Sequence, residues 1–480
     1  MHQLKLDSDD VHTPTYAGRS FSHDVPKYRM PGEGMSADAA YQLVHDELNL
    51  DGNPALNLAS FVTSWMEPQA DKLATETLNK NLIDQDEYPQ TEVAHERVVS
   101  MIGRLFHAPA GERPTGTATI GSSEAIMLAM LAHKRSWQRR READGLPTDK
   151  PNMVMGADVH TCWEKFARYF EVEARVAPME EGRYTIAAEQ VEGLIDERTI
   201  AVAGLLGTTF TGQMDDLASI DELLTRVERE RGWRIPLHID AASGGFIVPF
   251  SQPDLEWDFR LASVRSINVS NHKFGLVYPG MGTVVFRDRS DLPEELVFHI
   301  NYLGGDMPNY SLNFSRPSNS VVLQYFNFLR LGRSGYEQIV KNTLSNARAL
   351  AEKLGSIEGL ELLNDGSTFP IVAVRANSEG GGPDGGGAHA GAGGERSVAA
   401  GEGALDLTEL SHRLRERGWI VPAYTLPPNA QHITVLRMVV KENFSRDMVD
   451  MLAHDIREAI HTLRAGPGGR ARRTRTRPHC

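Results

Sequence analysis

Two strand-like runs in this sequence each end in a residue able to do covalent or electrostatic chemistry. The segment Ser266-Ile-Asn-Val-Ser-Asn-His-Lys-Phe-Gly275 is apolar up to a polar turn that presents Lys273 beside His272. Upstream, Leu237-His-Ile-Asp-Ala-Ala-Ser-Gly-Gly245 places Asp240 at the carboxyl end of a second run, the edge at which open α/β sheets bind ligands. A third element, Thr119-Ile-Gly-Ser-Ser-Glu-Ala125, stands ahead of the apolar-periodic residues 126–131. Ser122 and Ser123 therefore fall at a helix start, where free N–H groups and the helix dipole attract an anion. Each element also has a plainer use: lysines after strands are usually solvated, Asp240 could close a turn, and Ser122 could simply cap its helix.

Taken together the three describe the needs of pyridoxal 5'-phosphate (PLP). An enzyme using it requires a lysine to carry the cofactor as a Schiff base. It also requires a carboxylate to keep the pyridine nitrogen protonated, so that the ring can accept electrons. Lys273 and Asp240 suit those two parts, and a phosphate would suit the helix start at Ser122.

Alternating elements must position these residues. Hydrophobic patterning between about Thr117 and Arg287 predicts helix 123–140, strand 152–156, helix 162–170, strand 200–206, helix 217–230 and strands 235–240, 264–270 and 282–286. That alternation predicts an α/β fold whose large domain is a mostly parallel sheet flanked by helices. A helix over 334–354 leads into a smaller C-terminal α+β domain with strand 371–375, helix 406–417 and strand 433–440. The expected division is an N-terminal arm over 1–56 with an amphipathic segment at 37–48, a large cofactor-binding domain over 57–345, a small domain over 346–464 and a flexible basic tail over 465–480. A disordered glycine-rich insertion is expected at 378–404. Its Gly380, Gly382 and Gly385 match G-x-G-x-x-G, but Pro383 and the lack of a following helix argue against a dinucleotide site.

Bulk properties remove other classes. At 480 residues and 41% hydrophobic, the chain can bury a large core, and a net charge of −14 disfavours nucleic acid as the main partner. Cys162 and Cys480 are too few for a disulfide framework or a four-cysteine zinc site, which predicts no metal and a reducing, cytoplasmic setting. Residues 1–15 lack an apolar signal core, and no uninterrupted run of about 18 apolar residues predicts a membrane span. G-x-S-x-G and H-E-x-x-H are both absent, which sets aside serine hydrolases and zincins.

Six segments make the chain resemble the glutamate decarboxylases of the PLP-dependent group II decarboxylase family. They are Ile83-Asp-Gln-Asp-Glu-Tyr-Pro89, Gly121-Ser-Ser-Glu-Ala125, Cys162-Trp-Glu-Lys-Phe-Ala-Arg-Tyr169, His238-Ile-Asp-Ala-Ala-Ser-Gly-Gly-Phe246, His272-Lys-Phe-Gly275 and Asn313-Phe-Ser-Arg-Pro317. The likeness runs from about Asp46 to Glu442 and is absent from the glycine-rich insertion. It implies the PLP-dependent transferase fold type I, which is aspartate aminotransferase-like. In that family Lys273 would form the internal aldimine, Asp240 would pair with the pyridine nitrogen and His160 would stack on the ring. Ser122, Ser123, Ala242, Ser270 and His272 match cofactor contacts, and Thr209 a contact to the ring hydroxyl. Ser315 matches a phosphate contact donated by a neighbouring subunit, which implies a homo-oligomer, a dimer at minimum with a hexamer left open. Some glutamate decarboxylases have Gln where this chain has His160.

For the substrate, Ser60, Phe61, Asn81 and Asp84 match the pocket for a distal carboxylate, and Arg437 matches the arginine that holds the α-carboxylate. Ser60 stands where the family more often has Thr, and keeps the hydroxyl. The implied reaction removes the α-carboxyl group of L-glutamate, giving 4-aminobutanoate (γ-aminobutyrate) and carbon dioxide and consuming a proton, in glutamate catabolism or acid tolerance. Asp84 facing the substrate's carboxylate would repel it unless a proton is shared, so activity is expected to fall as pH rises. His479, in an arginine-rich tail without the apolar anchors of a calmodulin target, is a candidate pH gate over the site. Two alternatives stand beside this reading. A decarboxylase for another amino acid is disfavoured by Asn81 and Asp84. A binding protein that kept the fold but lost the chemistry is disfavoured by the joint presence of Lys273, Asp240 and His272.

Overall fold

Near-continuous apolar runs such as Thr199–Leu205, buried at every position, can only sit in a sheet covered on both faces. The computed structural model describes residues 27–110, 113–301, 307–377 and 405–465, so the glycine-rich insertion and the tail with His479 lie outside the described residues. The chain divides into two compact units, Met1–Leu56 and Asn57–Cys480. The first contains helix α1 (Ala37–Leu48), whose N-cap Ser36 accepts a hydrogen bond from the amide of Ala39.

The second unit is built on a seven-stranded sheet of β1 (Thr115–Thr119), β2 (Asn152–Gly156), β3 (Glu173–Ala177), β4 (Thr199–Leu205), β5 (Leu237–Asp240), β6 (Val264–Val269) and β7 (Gly282–Phe286), in the order β1-β7-β6-β5-β4-β2-β3. The pairings from β6 across to β3 are parallel, while β7 is antiparallel to both neighbours. Its helices are α2 (Pro68–Thr77), α3 (Pro89–Leu105), α4 (Ser122–Ala143), α5 (Thr161–Tyr169), α6 (Ala188–Leu194), α7 (Leu217–Arg231) and the short α8 (Val248–Ser251). Strand β5 begins two residues later than its hydrophobic run predicts. Pro236 has no N–H to give to the ladder, although its carbonyl accepts from Val202 at 3.0 Å.

Strands β8 (Phe298–Ile300) and β9 (Met307–Asn309) form a separate antiparallel pair. Helix α9 (Asn319–Gly355) starts well before the predicted 334 and crosses the expected boundary between 345 and 346. Gly332 interrupts it with φ 57° and ψ −172°, a backbone conformation open to glycine, and the helix resumes beyond that kink. A second sheet follows, with strands β10 (Leu360–Asp365), β11 (Ile371–Ala376), β12 (Ala423–Thr425) and β13 (Thr434–Val439) in the order β10-β11-β13-β12, all antiparallel. Helices α10 (Leu407–Arg415), capped by Asp406, and α11 (Arg446–Ala465) complete the chain. No helix among the described residues is long and apolar enough to cross a membrane.

Candidate active site

Four of the singled-out residues come together because β5 and β6 are parallel neighbours. Asp240 pairs in register with Asn268, and the chain leaves β6 through Ser270 and His272 to Lys273. Asp240 is only 7% exposed, and a buried carboxylate needs donors. Trp163 on α5 donates its indole N–H to Oδ2 at 3.0 Å. Asn268 Nδ2 and the amide of Ala242 donate to Oδ1 at 2.9 and 3.1 Å. All three groups use the acid as an acceptor.

The turn carrying Lys273 is clamped from two sides. Thr63 donates its hydroxyl to the Lys273 carbonyl at 2.6 Å and its amide to the carbonyl of His272 at 2.9 Å. From α9, Gln324 and Tyr336 both donate to the carbonyl of Gly275, Gln324 accepts from buried Asn271 at 3.0 Å, and Asn327 donates to Leu276. The lysine side chain donates to Ser243 Oγ at 3.0 Å and stands 4.8 Å from the ring centroid of Phe61. Burial lowers the pKa of Lys273, and the Arg437 guanidinium lowers it further, while Asp240 and Cys162 pull the other way. Net lowering enlarges the fraction of free amine, the nucleophilic form.

An anion cradle lies beside it. Gly121 precedes α4 without a side-chain cap, so the helix's first amides remain available. Ser122 and Ser270 face each other with their hydroxyls 2.6 Å apart. His272 Nδ1 accepts from the Met281 amide at 3.2 Å, and burial pushes its pKa down to about 4, leaving a neutral ring with Nε2–H free to donate. The close approach requires small residues: a Cβ on Gly282 would stand 2.8 Å from the Ser122 amide nitrogen, and one on Gly121 3.2 Å from the His272 ring. Amine, carboxylate and anion cradle are the donor set that the lysine, ring nitrogen and phosphate of PLP require.

Arg437 reaches the site from β13. It is 6% exposed, lies 5.1 Å from the same Phe61 ring, and donates to the carbonyls of Thr209, at 2.7 Å, and Ala59. Its Nε is buried without a hydrogen-bond partner, an orphan donor in a place suited to a carboxylate. Ser60 neighbours this arginine through Ala59, and its hydroxyl accepts from the amide of Val62. His160 caps α5, with Nδ1 accepting from the Cys162 amide, and is near enough to Lys273 and Asp240 to feel both charges. Ser123 hydrogen-bonds the Cys162 thiol, which burial pushes up to about 12.

Three expected residues form a separate group. Asn81 Nδ2 donates to Asp84 at 3.2 Å and to Ser315 Oγ at 3.3 Å, and its Oδ1 accepts from the amide of Arg316. Among the described residues, no hydrogen bond, ion pair or ring contact joins this group directly to Lys273. No cluster of three or more His, Cys, Asp or Glu among the described residues is arranged to hold a metal. Trp163, Asn268 and Ser243 were not singled out from the sequence. Two of them sit inside the motifs, but only the folded register reveals what they touch.

The model of the pyridoxal-dependent decarboxylase conserved domain matches residues 26–377. The tomato (Solanum lycopersicum) protein named glutamate decarboxylase is 48% identical over 465 residues, covering 96% of this chain and 88% of that one. Its namesake from Aliivibrio fischeri is 42% identical, covering 97% and 96%. The solved structure of Lactobacillus brevis glutamate decarboxylase superposes with a TM-score of 0.85 at 42% identity, covering 92% of this chain and 96% of that one. The sheet order, the flanking helices and the smaller antiparallel sheet are those of the fold type I architecture.

Proposed function

The chain belongs to the pyridoxal-dependent decarboxylase family, and from that premise we propose that it removes the α-carboxyl group of L-glutamate, with PLP as cofactor, to give 4-aminobutanoate and carbon dioxide. The observation that carries the reading is the convergence of Lys273, Asp240 and the orphan Nε of Arg437 around one site. PLP, when bound, supplies an electron sink for the pair of electrons left at Cα as carbon dioxide departs.

The protein's own groups do the rest. Lys273 provides the amine that holds the cofactor, and Asp240, fixed by three donors, balances a positive charge on the ring nitrogen. The amino end of α4, with Ser122, Ser123, Ser270 and His272, holds the phosphate. His160 would lie against the ring, and Thr209 would meet its hydroxyl. Arg437, with its unpartnered Nε, would hold the α-carboxylate and so select which Cα bond breaks. Once that bond has broken, Lys273 Nζ, beside Ser243, is the described group best placed to hold the proton for Cα.

Glutamate selectivity rests on Ser60 and Phe61 together with Asn81 and Asp84. Asn81 bonds both Asp84 and Ser315, the residue matching a phosphate contact from a neighbouring subunit, which supports a homo-oligomer in which that subunit donates the group. A cytoplasmic setting suits the two widely spaced cysteines. A substrate panel tests the reading: glutamate should yield 4-aminobutanoate and carbon dioxide in equal amounts, and preference for an aromatic amino acid would overturn the assignment of substrate.

A further inference from the structure

From Asp240 a line of buried polar side chains crosses β5 and β6 to α4. Asn268 Nδ2 donates to Asp240 Oδ1 at 2.9 Å. With its amide so oriented, Asn268 Oδ1 is an acceptor, and His238 Nε2 lies 2.7 Å from it, which puts the His238 proton on Nε2. His238 Nδ1 is then the acceptor for the Ser266 hydroxyl at 2.7 Å. Ser266 Oγ, its proton committed, accepts from His133 Nε2 at 2.6 Å. His238, Ser266 and Asn268 are fully buried, and His133 is 4% exposed. Burial lowers the pKa of both histidines, His238 to about 4, which keeps the two rings neutral and the tautomers fixed. Trp163 seals the line, packing edge-on against His238 at 5.5 Å while donating to the other oxygen of Asp240.

Every hydrogen bond in this line points the same way, from His133 toward Asp240. Chains of aligned hydrogen bonds polarise one another, and in a dry interior the effect is concentrated on the terminal acceptor. A proton on Asp240 Oδ1 would oppose the Asn268 amide, and turning that amide would in turn require a different His238 tautomer and a reversed Ser266 hydroxyl. The line therefore favours one protonation state of the acid at its end.

We propose that His133, Ser266, His238 and Asn268 are positioning residues that hold Asp240 ionised, so that the proton shared between Asp240 and the cofactor stays on the ring nitrogen. This inference rests on the reading of the site given above, and reaches residues that touch neither cofactor nor substrate. His133 is the informative end, because it also lines a surface cavity with Ser136, Arg140, Arg265 and Asp291, remote from Lys273. Substitution there alters the line without altering the site.

The test uses holoenzyme loaded with PLP carrying ¹⁵N at the ring nitrogen. The ¹⁵N resonance and steady-state kinetics are measured for wild type, His133→Leu, Ser266→Ala and His133→Gln. The first two variants remove a donor from the line, and the third keeps an N–H that can reach Ser266. Expected are a ¹⁵N shift toward unprotonated pyridine in His133→Leu and Ser266→Ala, a kcat about tenfold lower, and KM within about twofold of wild type. His133→Gln should restore both readouts. Should Ser266→Ala fail to fold, His133→Leu carries the same test. Loaded variants with wild-type ¹⁵N shift and kcat, or with lowered thermal stability alone, would overturn the inference. A wild type that does not bind PLP or act on glutamate would instead overturn the functional reading beneath it.

Discussion

Trp163 donates its indole N–H to Asp240 at 3.0 Å across 77 positions of sequence, tying α5 to the carboxyl end of β5. With the Asn268 amide on the other oxygen, each carboxyl oxygen of Asp240 accepts from a buried side chain.

Asp240→Asn keeps the shape but loses the charge, and its amide group would meet a donor on one side. Decarboxylation should fall by about 10²- to 10³-fold, the scale for removing one preorganised electrostatic group. Asp240→Ala should in addition destabilise the protein by about 1–3 kcal/mol for each donor left unpaired. Single-turnover kinetics and thermal melts of the two variants separate the contributions.

Asp84 offers the test of the expected acid dependence. If it shares a proton with the substrate's distal carboxylate, Asp84→Asn should flatten the decline of kcat/KM with rising pH, because an amide needs no proton to accept a carboxylate. An unchanged pH profile would place the acid dependence elsewhere.

Much of this was legible in the sequence, and the remainder fails for identifiable reasons. Strands β2 and β7 match their predicted limits, since a fully buried strand announces itself by an unbroken apolar run. Strand β3 is an edge strand with mostly exposed residues, and β1 reads Thr-Gly-Thr-Ala-Thr, so neither carries that signal. The predicted helix 334–354 covers only the part of α9 beyond the kink at Gly332; the turns before it were not read from the sequence. Lys273 and Asp240 could be singled out because Asp240 closes β5 and Lys273 stands in the turn that follows β6. Their partners Trp163, Ser243 and Gln324 were not, because these contacts depend on register and helix placement rather than on local spacing.

The support beneath the lysine turn should matter for stability. Gln324 exchanges hydrogen bonds with Asn271, Gly275 and Tyr336 in a fully buried position. Gln324→Leu should cost about 1–3 kcal/mol per unpaired group and increase unfolding in urea at unchanged m-value. It should also weaken cofactor retention, since the turn it braces carries Lys273.

Asp158 makes the pH dependence of stability asymmetric. Burial, with Asp240 adding to it, raises its pKa from 3.8 to about 7, and Oδ2 has no hydrogen-bond partner. An acid whose pKa is raised on folding costs nothing below about pH 4, where both states are protonated. The penalty grows between about pH 4 and 7 and is constant above. Asp158→Asn should therefore raise the melting temperature at pH 8 and leave it nearly unchanged at pH 4.

The central claim is that Lys273 holds PLP and that glutamate is decarboxylated there. The direct measurement is the absorbance spectrum of the purified protein with PLP, before and after adding glutamate at about pH 5, alongside Lys273→Ala. A yellow band of covalently held cofactor, missing from the variant, with 4-aminobutanoate and carbon dioxide formed in equal amounts and activity at least roughly 10³-fold lower in Lys273→Ala, is the predicted result. A Lys273→Ala protein that keeps both the band and the activity would contradict it.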